Sequence, residues 1–199
     1  YISGTDTIFV DSLTYGEQIA DTSSGRIGDG GATWGAFPNP TAGVSNTWTP
    51  EGLSGIVINE FLASNDASIS DEEGGFDDWV ELYNGTSEAI DVGGMYFTDN
   101  PEDTEPNQIP TTNADLTTIP AGSYLILWCD KEPEQGVLHI NTKLSSGGES
   151  VVLIDTDMLT VIDSYTFDAQ EADVSMGRTT DGADTWTTFL DPTPGASNN

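Results

Sequence analysis

The residues of this chain with chemistry to offer are carboxylates. The densest group is Asp66, Asp71, Glu72, Glu73, Asp77 and Asp78, interrupted by Gly74-Gly75. Hard cations such as calcium take six to eight oxygens, and a glycine-containing acidic loop can wrap around one. Asp71, Glu73, Asp77 and Asp78 are therefore the expected calcium ligands. Their spacing is not that of an EF-hand, so a solvated acidic loop is the competing reading. Asp99, Glu102, Asp103 and Glu105 form a weaker second group, and Asp155 and Asp157 fit a hairpin turn. Paired acids can hydrolyse glycosides, but with 34 Asp and Glu such pairs are unavoidable and carry no signal. His139, the only histidine, lacks Cys or His companions for zinc and reads as structural. Cys129, in the apolar run Tyr124-Leu125-Ile126-Leu127-Trp128-Cys129, reads as a small buried residue. Asn84-Gly85-Thr86 fits an N-glycosylation sequon.

Four Lys and Arg against those 34 acids give a net charge of -30. Such a surface repels nucleic acid phosphates and anionic lipid headgroups, which argues against both as partners. It suits divalent cations, basic partners or a salty medium, where the Debye length falls from about 8 Å toward about 3 Å and self-repulsion fades. That setting points outside the cell or to its surface. A single Cys cannot form an internal disulfide, so thiol content decides nothing about compartment. No apolar stretch approaches the roughly 18 residues that span a bilayer, so membrane insertion is not expected.

Stepping along the chain, Val10–Asn46 aligns without a gap onto Ile162–Asn198 at a constant offset of 152. Matches include Asp11-Ser12 with Asp163-Ser164, Gln18 with Gln170, Ala20-Asp21 with Ala172-Asp173, and Gly25-Arg26 with Gly177-Arg178. They continue through Asp29-Gly30, Thr33-Trp34, Phe37, Pro40-Thr41 and Ser45-Asn46. The chain thus holds one full period and the closing part of another. The expected division is a partial domain over 1–46, a linker over 47–54 and a complete domain over 55–199. Each copy ends in a Pro/Gly/Ser/Asn segment that reads as an exit into a linker. Arg26 and Arg178 are expected to pair with nearby acids, Asp21 and Asp173 being the candidates. Trp34 and Trp186 read as core or edge cover rather than a binding platform.

In the complete domain, short apolar runs alternate with turns. The runs are Ile56–Leu62, Trp79–Tyr83, Ile90–Phe97, Ser123–Cys129, Ser150–Ile154 and Thr160–Phe167. Asn84-Gly85, Pro120-Ala121-Gly122, Gly147-Gly148 and Asp181-Gly182 mark turns between or after them. No 3.6-residue period is sustained, so the spacing predicts an all-β sandwich or barrel. Gly122 is expected where a side chain would crowd a turn. Trp79 and Leu82 fall on opposite pleat faces, so Trp79, Phe76 or Tyr83 is expected to cover an edge.

Specific stretches carry a resemblance. Ile58-Asn59-Glu60-Phe61-Leu62-Ala63-Ser64-Asn65 and Asp77-Asp78-Trp79-Val80-Glu81-Leu82-Tyr83-Asn84 look like the opening strands of a lamin tail domain of the bacterial, secreted kind. Ile119–Leu127, Leu144–Val151 and Pro192–Asn198 agree, so the resemblance covers about residues 55–199, with residues 1–46 resembling the end of the same domain. It implies an immunoglobulin-like β-sandwich in an extracellular multidomain protein, with no catalytic residues of its own. Fold analogy names no ligand.

Function is then expected to be structural. A truncated set of strands cannot cover its own apolar face or pair its edges, so residues 1–46 are expected to find their complement either in a preceding segment of the same polypeptide, the chain being cut from a tandem array, or on a neighbouring chain by strand addition. The expected function is a repeat unit of an extracellular filament or stalk, self-associating through β-strand contacts and calcium-stabilised. The alternative is an accessory binding or adhesion module, for carbohydrate or a surface protein, in a larger secreted protein.

Overall fold

The computed structural model describes residues 55–198 continuously and, before them, residues 2–3, 6–7, 15, 20, 23–26, 34–37, 40 and 42–43. The chain divides into two compact units, Tyr1–Trp48 and Thr49–Asn199. The expected 47–54 linker lies outside the described residues.

In the first unit, β1 (Ile2–Ser3) pairs antiparallel with β2 (Asp6–Thr7), and β3 (Ser23–Arg26) with β4 (Trp34–Phe37). Ser23 stands opposite Phe37 and Arg26 opposite Trp34.

The second unit runs β5 (Ile56–Leu62), β6 (Asp78–Asn84), β7 (Ile90–Asp91), β8 (Tyr96–Thr98), β9 (Asn107–Gln108), a single helical turn α1 (Ala114–Thr117), β10 (Thr118–Ile119) and β11 (Tyr124–Cys129). It continues with β12 (His139–Ile140), β13 (Gly148–Ile154), β14 (Val161–Asp168), β15 (Ser175–Arg178) and β16 (Trp186–Phe189). One sheet has the order β12-β11-β6-β5-β15-β16, the other β14-β13-β8-β9, and β10 pairs with β7. Neighbours are antiparallel except β11 and β12. The β15–β16 register, Ser175 opposite Phe189 and Arg178 opposite Trp186, is that of β3–β4 shifted by the repeat offset.

The inner faces of the two sheets meet in one core. Ile56, Ile58, Phe61, Val80, Leu82 and Leu127 come from the first sheet, and Phe97, Val151, Leu153 and Phe167 from the second. Burying a side chain of this size contributes roughly 1.5–3 kcal/mol. This is the sandwich layering expected of an all-β, immunoglobulin-like fold.

The pleat of β5 is broken once. Ile58 pairs with Leu82 and Glu60 with Glu81, so Asn59 is an extra residue in the ladder. Without that bulge, alternation would turn Glu60 inward after Ile56 and Ile58. With it, Phe61 takes the core position, and Asn59 and Glu60 both remain outside.

Several local expectations need correction. Ile90–Phe97 is two strands in different sheets, because Val92-Gly93-Gly94-Met95 turns between them, Asp91 Oδ1 accepting from Gly93 N at 2.8 Å. Trp79 covers no edge: it is fully buried with Leu62 and Trp128 in a second, smaller cluster on the outer face of the first sheet. Phe76 is exposed, and Tyr83 lies against Tyr124 with ring centres 5.2 Å apart. Gly122 is required for its φ of +65°, not for space, since a Cβ there would meet nothing within 4 Å.

Candidate functional site

Two polar clusters stand out where a sandwich should be either dry or wet. The first is on the outer face of the first sheet. Glu60 and Glu81, cross-strand partners at the bulge, are both fully buried, as are Asn59 and Asn198. Buried carboxylates persist only where donors replace their water, and the closing segment provides the donors. Glu60 accepts from Thr193 N at 3.0 Å, Thr193 Oγ1 at 2.6 Å and Ser175 Oγ. Glu81 accepts from Asn59 Nδ2 at 3.0 Å and from Gly195 N at 2.6 Å. Asn198 donates through Nδ2 to the carbonyls of Asn59 (3.1 Å) and Arg178 (2.8 Å), and its oxygen accepts from Thr193 Oγ1 at 2.9 Å.

Burial pushes the Glu81 carboxyl up to about 7, with the Glu60 and Asp181 charges adding to the bonds' failure to hold it down. Burial also works against ionisation of Asp181, but hydrogen bonds from Ser197, Asn198 N, Tyr124 and Asn59 outweigh it and hold that carboxyl below its ordinary value. Residues 192–198, expected to be a linker exit, are thus a latch closed over two buried acids.

Arg178 belongs to the same latch. Its Nε donates to Ile58 O at 2.8 Å and its Nη2 to Asp163 Oδ2 at 2.6 Å, while the same Asp163 oxygen accepts from Ile58 N at 2.8 Å. The expected partner Asp173 is engaged elsewhere, accepting from Asp66 N and Ala67 N, both at 2.8 Å. Trp186 lies under the guanidinium and stacks on Tyr165 at 4.1 Å.

The second cluster involves the acidic loop. Asp71 Oδ1 accepts from Glu73 N (2.9 Å) and Gly75 N (2.7 Å), which folds the loop back on itself. A Cβ on Gly75 would lie 2.5 Å from Asp77 Oδ2 and 3.2 Å from Asp71 Oδ2, so a side chain there would push the two carboxylates aside. Of the expected calcium ligands, Glu73 is exposed and Asp77 half-buried. Asp78 is buried in β6, where burial raises its carboxyl to about 6 against the Lys143 charge and the Asn65 and Leu144 backbone amides. Asp77 Oδ2 lies with Asp71 Oδ2 over Gly75, and Asp130 and His139 also approach Asp71, with one ligand atom of each of Asp71, Asp130 and His139 within 4.8 Å of the others.

His139 is fixed at both ring nitrogens. Nδ1 bonds Asp130 Oδ2 and Nε2 bonds Glu72 Oε1 at 3.1 Å. Burial lowers its pKa, but these two carboxylates more than compensate and the net direction is upward. Sequence reasoning placed His139 as structural and did not connect it with Asp130. The two share no motif, and β11 and β12 meet only through a parallel pairing, Trp128 opposite His139.

Other acids are local turn elements. Asp157 accepts from Leu159 N and Thr160 N in the β13–β14 hairpin, and Asp103 from Glu105 N and Thr98 Oγ1. Asn84 of the sequon is fully buried, its amide donating to Glu88 O and Ile119 O, so the folded domain offers no acceptor nitrogen there. Cys129 is fully buried and its thiol is pushed well up, by burial first.

Two packed, largely antiparallel sheets with this layering make an immunoglobulin-like β-sandwich. The chain belongs to the lamin tail domain family, whose model, Lamin Tail Domain, matches residues 49–169. That family is one of structural domains, not known as catalytic. No curated protein and no solved structure matches the chain. No helix among the described residues is long and apolar enough to cross a membrane.

Proposed function

We propose that the chain is a non-catalytic structural module of the bacterial secreted type, a repeat unit of an extracellular filament or stalk joined by β-strand contacts between copies. The observation that carries this reading is where the repeat falls. The residues of 162–198 that close the sandwich recur one period earlier: Asp163 as Asp11, Ser175 as Ser23, Arg178 as Arg26, Asp181 as Asp29, Thr193 as Thr41 and Asn198 as Asn46. In the complete domain Asp181 and Asn198 bind Asn59, Ser175 and Thr193 bind Glu60, and Asp163 and Arg178 bind the backbone of Ile58. Residues 10–46 therefore carry the chemistry of a closing segment, and a framework like 55–154 of another copy is what that chemistry fits.

The net charge of -30 disfavours nucleic acid and anionic membrane surfaces, and it also opposes contact between copies until salt screens it. An accessory adhesion module would instead present aromatics on one face. Among the described residues the exposed aromatics are Tyr15 and Phe76, which belong to different units.

Sedimentation equilibrium on the full chain tests this. Mass should rise with concentration, and more steeply at high salt, and the double variant Thr41→Ala, Asn46→Ala should weaken the rise. A strictly monomeric chain at every concentration and salt level would overturn the proposal.

A further inference from the structure

We propose that Asp71, Asp130 and His139 form a binding site for one divalent transition-metal ion of the zinc class. Two independent observations meet here. The three side chains converge from separate parts of the chain, the acidic loop, the residue after β11, and β12, with ligand atoms within 4.8 Å of one another. And Asp71 Oδ2, on a residue only 8% exposed, has no hydrogen-bond partner, although Oδ1 of the same carboxylate takes two backbone amides. A buried carboxylate oxygen without a donor is costly, and here it belongs to the group in which the other two donors converge.

The donor set selects the ion. Calcium takes oxygens, six to eight of them; one imidazole nitrogen with two carboxylates suits zinc and its neighbours. Bond lengths of about 2.0–2.2 Å put tetrahedral ligand atoms about 3.5 Å apart, so Asp130 and His139, in direct hydrogen-bond contact, have to move apart to admit the ion beside Asp71. Asp130 and His139 already touch through one shared proton, and binding displaces that proton to solvent. The ring presents one nitrogen to Asp130 and the other to Glu72. With the ion at Nδ1, Glu72 on Nε2 orients the ring, as outer partners of metal-binding histidines do. Glu72, with its side chain 60% exposed, connects the cluster to solvent.

The single histidine makes the test unambiguous. Zinc is titrated into the full chain in excess calcium, which saturates loose binding to surface acids, while the imidazole NMR resonances are followed. The expected result is saturation at one equivalent of zinc, displacement of the His139 resonances, visible absorption when cobalt replaces zinc, and a loss of at least tenfold in affinity in Asp71→Asn. That variant keeps an oxygen for the Glu73 and Gly75 amides. Unmoved His139 resonances in the wild-type chain would overturn the site, and that reading does not depend on how the variant folds. Unchanged affinity in a folded Asp71→Asn variant, or an equal response to calcium alone, would overturn it too.

Discussion

Glu81 sets the pH behaviour of the domain at the scale of a single residue. Its carboxyl moves from an ordinary 4.5 to about 7 on folding, chiefly through burial. The folded state therefore holds a proton that the unfolded chain releases. The stability linked to that proton is fully present below about pH 4.5 and is lost as pH rises through 7. The shift corresponds to about 3 kcal/mol at most. Asp78, raised to about 6, works in the same direction. Thermal melts should show a higher Tm at pH 5 than at pH 8, and Glu81→Gln should flatten that slope whatever it does to absolute stability. An undiminished slope in the variant would remove Glu81 from the explanation.

Asn198 is the second residue with a defined effect. Its amide serves two buried carbonyls, those of Asn59 and Arg178, and replacement by alanine leaves both without a donor. The cost expected is about 2–4 kcal/mol, measured by urea unfolding of the second unit. Ser197→Ala, with its neighbour's bonds intact, is the natural comparison and should cost less.

Among the elements, β5 depends on its bulge. Deleting Asn59 removes the extra residue and restores simple alternation with Glu60 still outside and Phe61 still in the core, but it takes away the bonds Asn59 makes with Glu81, Asp181 and Asn198. The expected outcome is a folded but destabilised domain, read as a lower urea midpoint with dispersed amide resonances retained. Loss of the folded state would mean that the bulge itself, and not only its bonds, is needed to close the sandwich.

The elements that were legible in the sequence were those with apolar alternation. The runs at Ile56–Leu62 and Ser123–Cys129 correspond closely to β5 and β11. β15 and β16 were not legible as strands, because Ser175-Met176-Gly177-Arg178 and Trp186-Thr187-Thr188-Phe189 are held by pairing and polar bonds rather than by a hydrophobic face. Gly177 shows the constraint: a Cβ there would lie 3.0 Å from Asn198, Glu60 and Phe189 atoms. The candidate site was legible only in part. Asp71 stood out in a dense acidic loop, whereas Asp130 and His139 lie some 60 residues away in sequence and are brought to it by the β11–β12 pairing, which no local pattern announces. Arg178 was recognised as needing an acid, but the choice between Asp163 and Asp173 is made by β14 lying beside the start of β5.

For the molecule as a whole, assembly between copies requires residues 10–46 to be a closing segment of the same kind as 162–198. The β13–β14 hairpin offers a place to test it, since Met158 and Leu159 are exposed at its tip and loop tips tolerate cutting. A fragment of residues 49–158 lacks β14, β15, β16 and the latch, so its Glu60 and Glu81 have lost most of their donors. Adding residues 159–199 as a separate peptide should restore the fold and sets the benchmark for recovery. The decisive measurement is the circular dichroism melt of that fragment with a peptide of residues 7–46 in its place. The expected result is a cooperative transition approaching the benchmark; a fragment that refolds with 159–199 but stays unfolded in saturating 7–46 would show that residues 10–46 are not a closing segment of this kind.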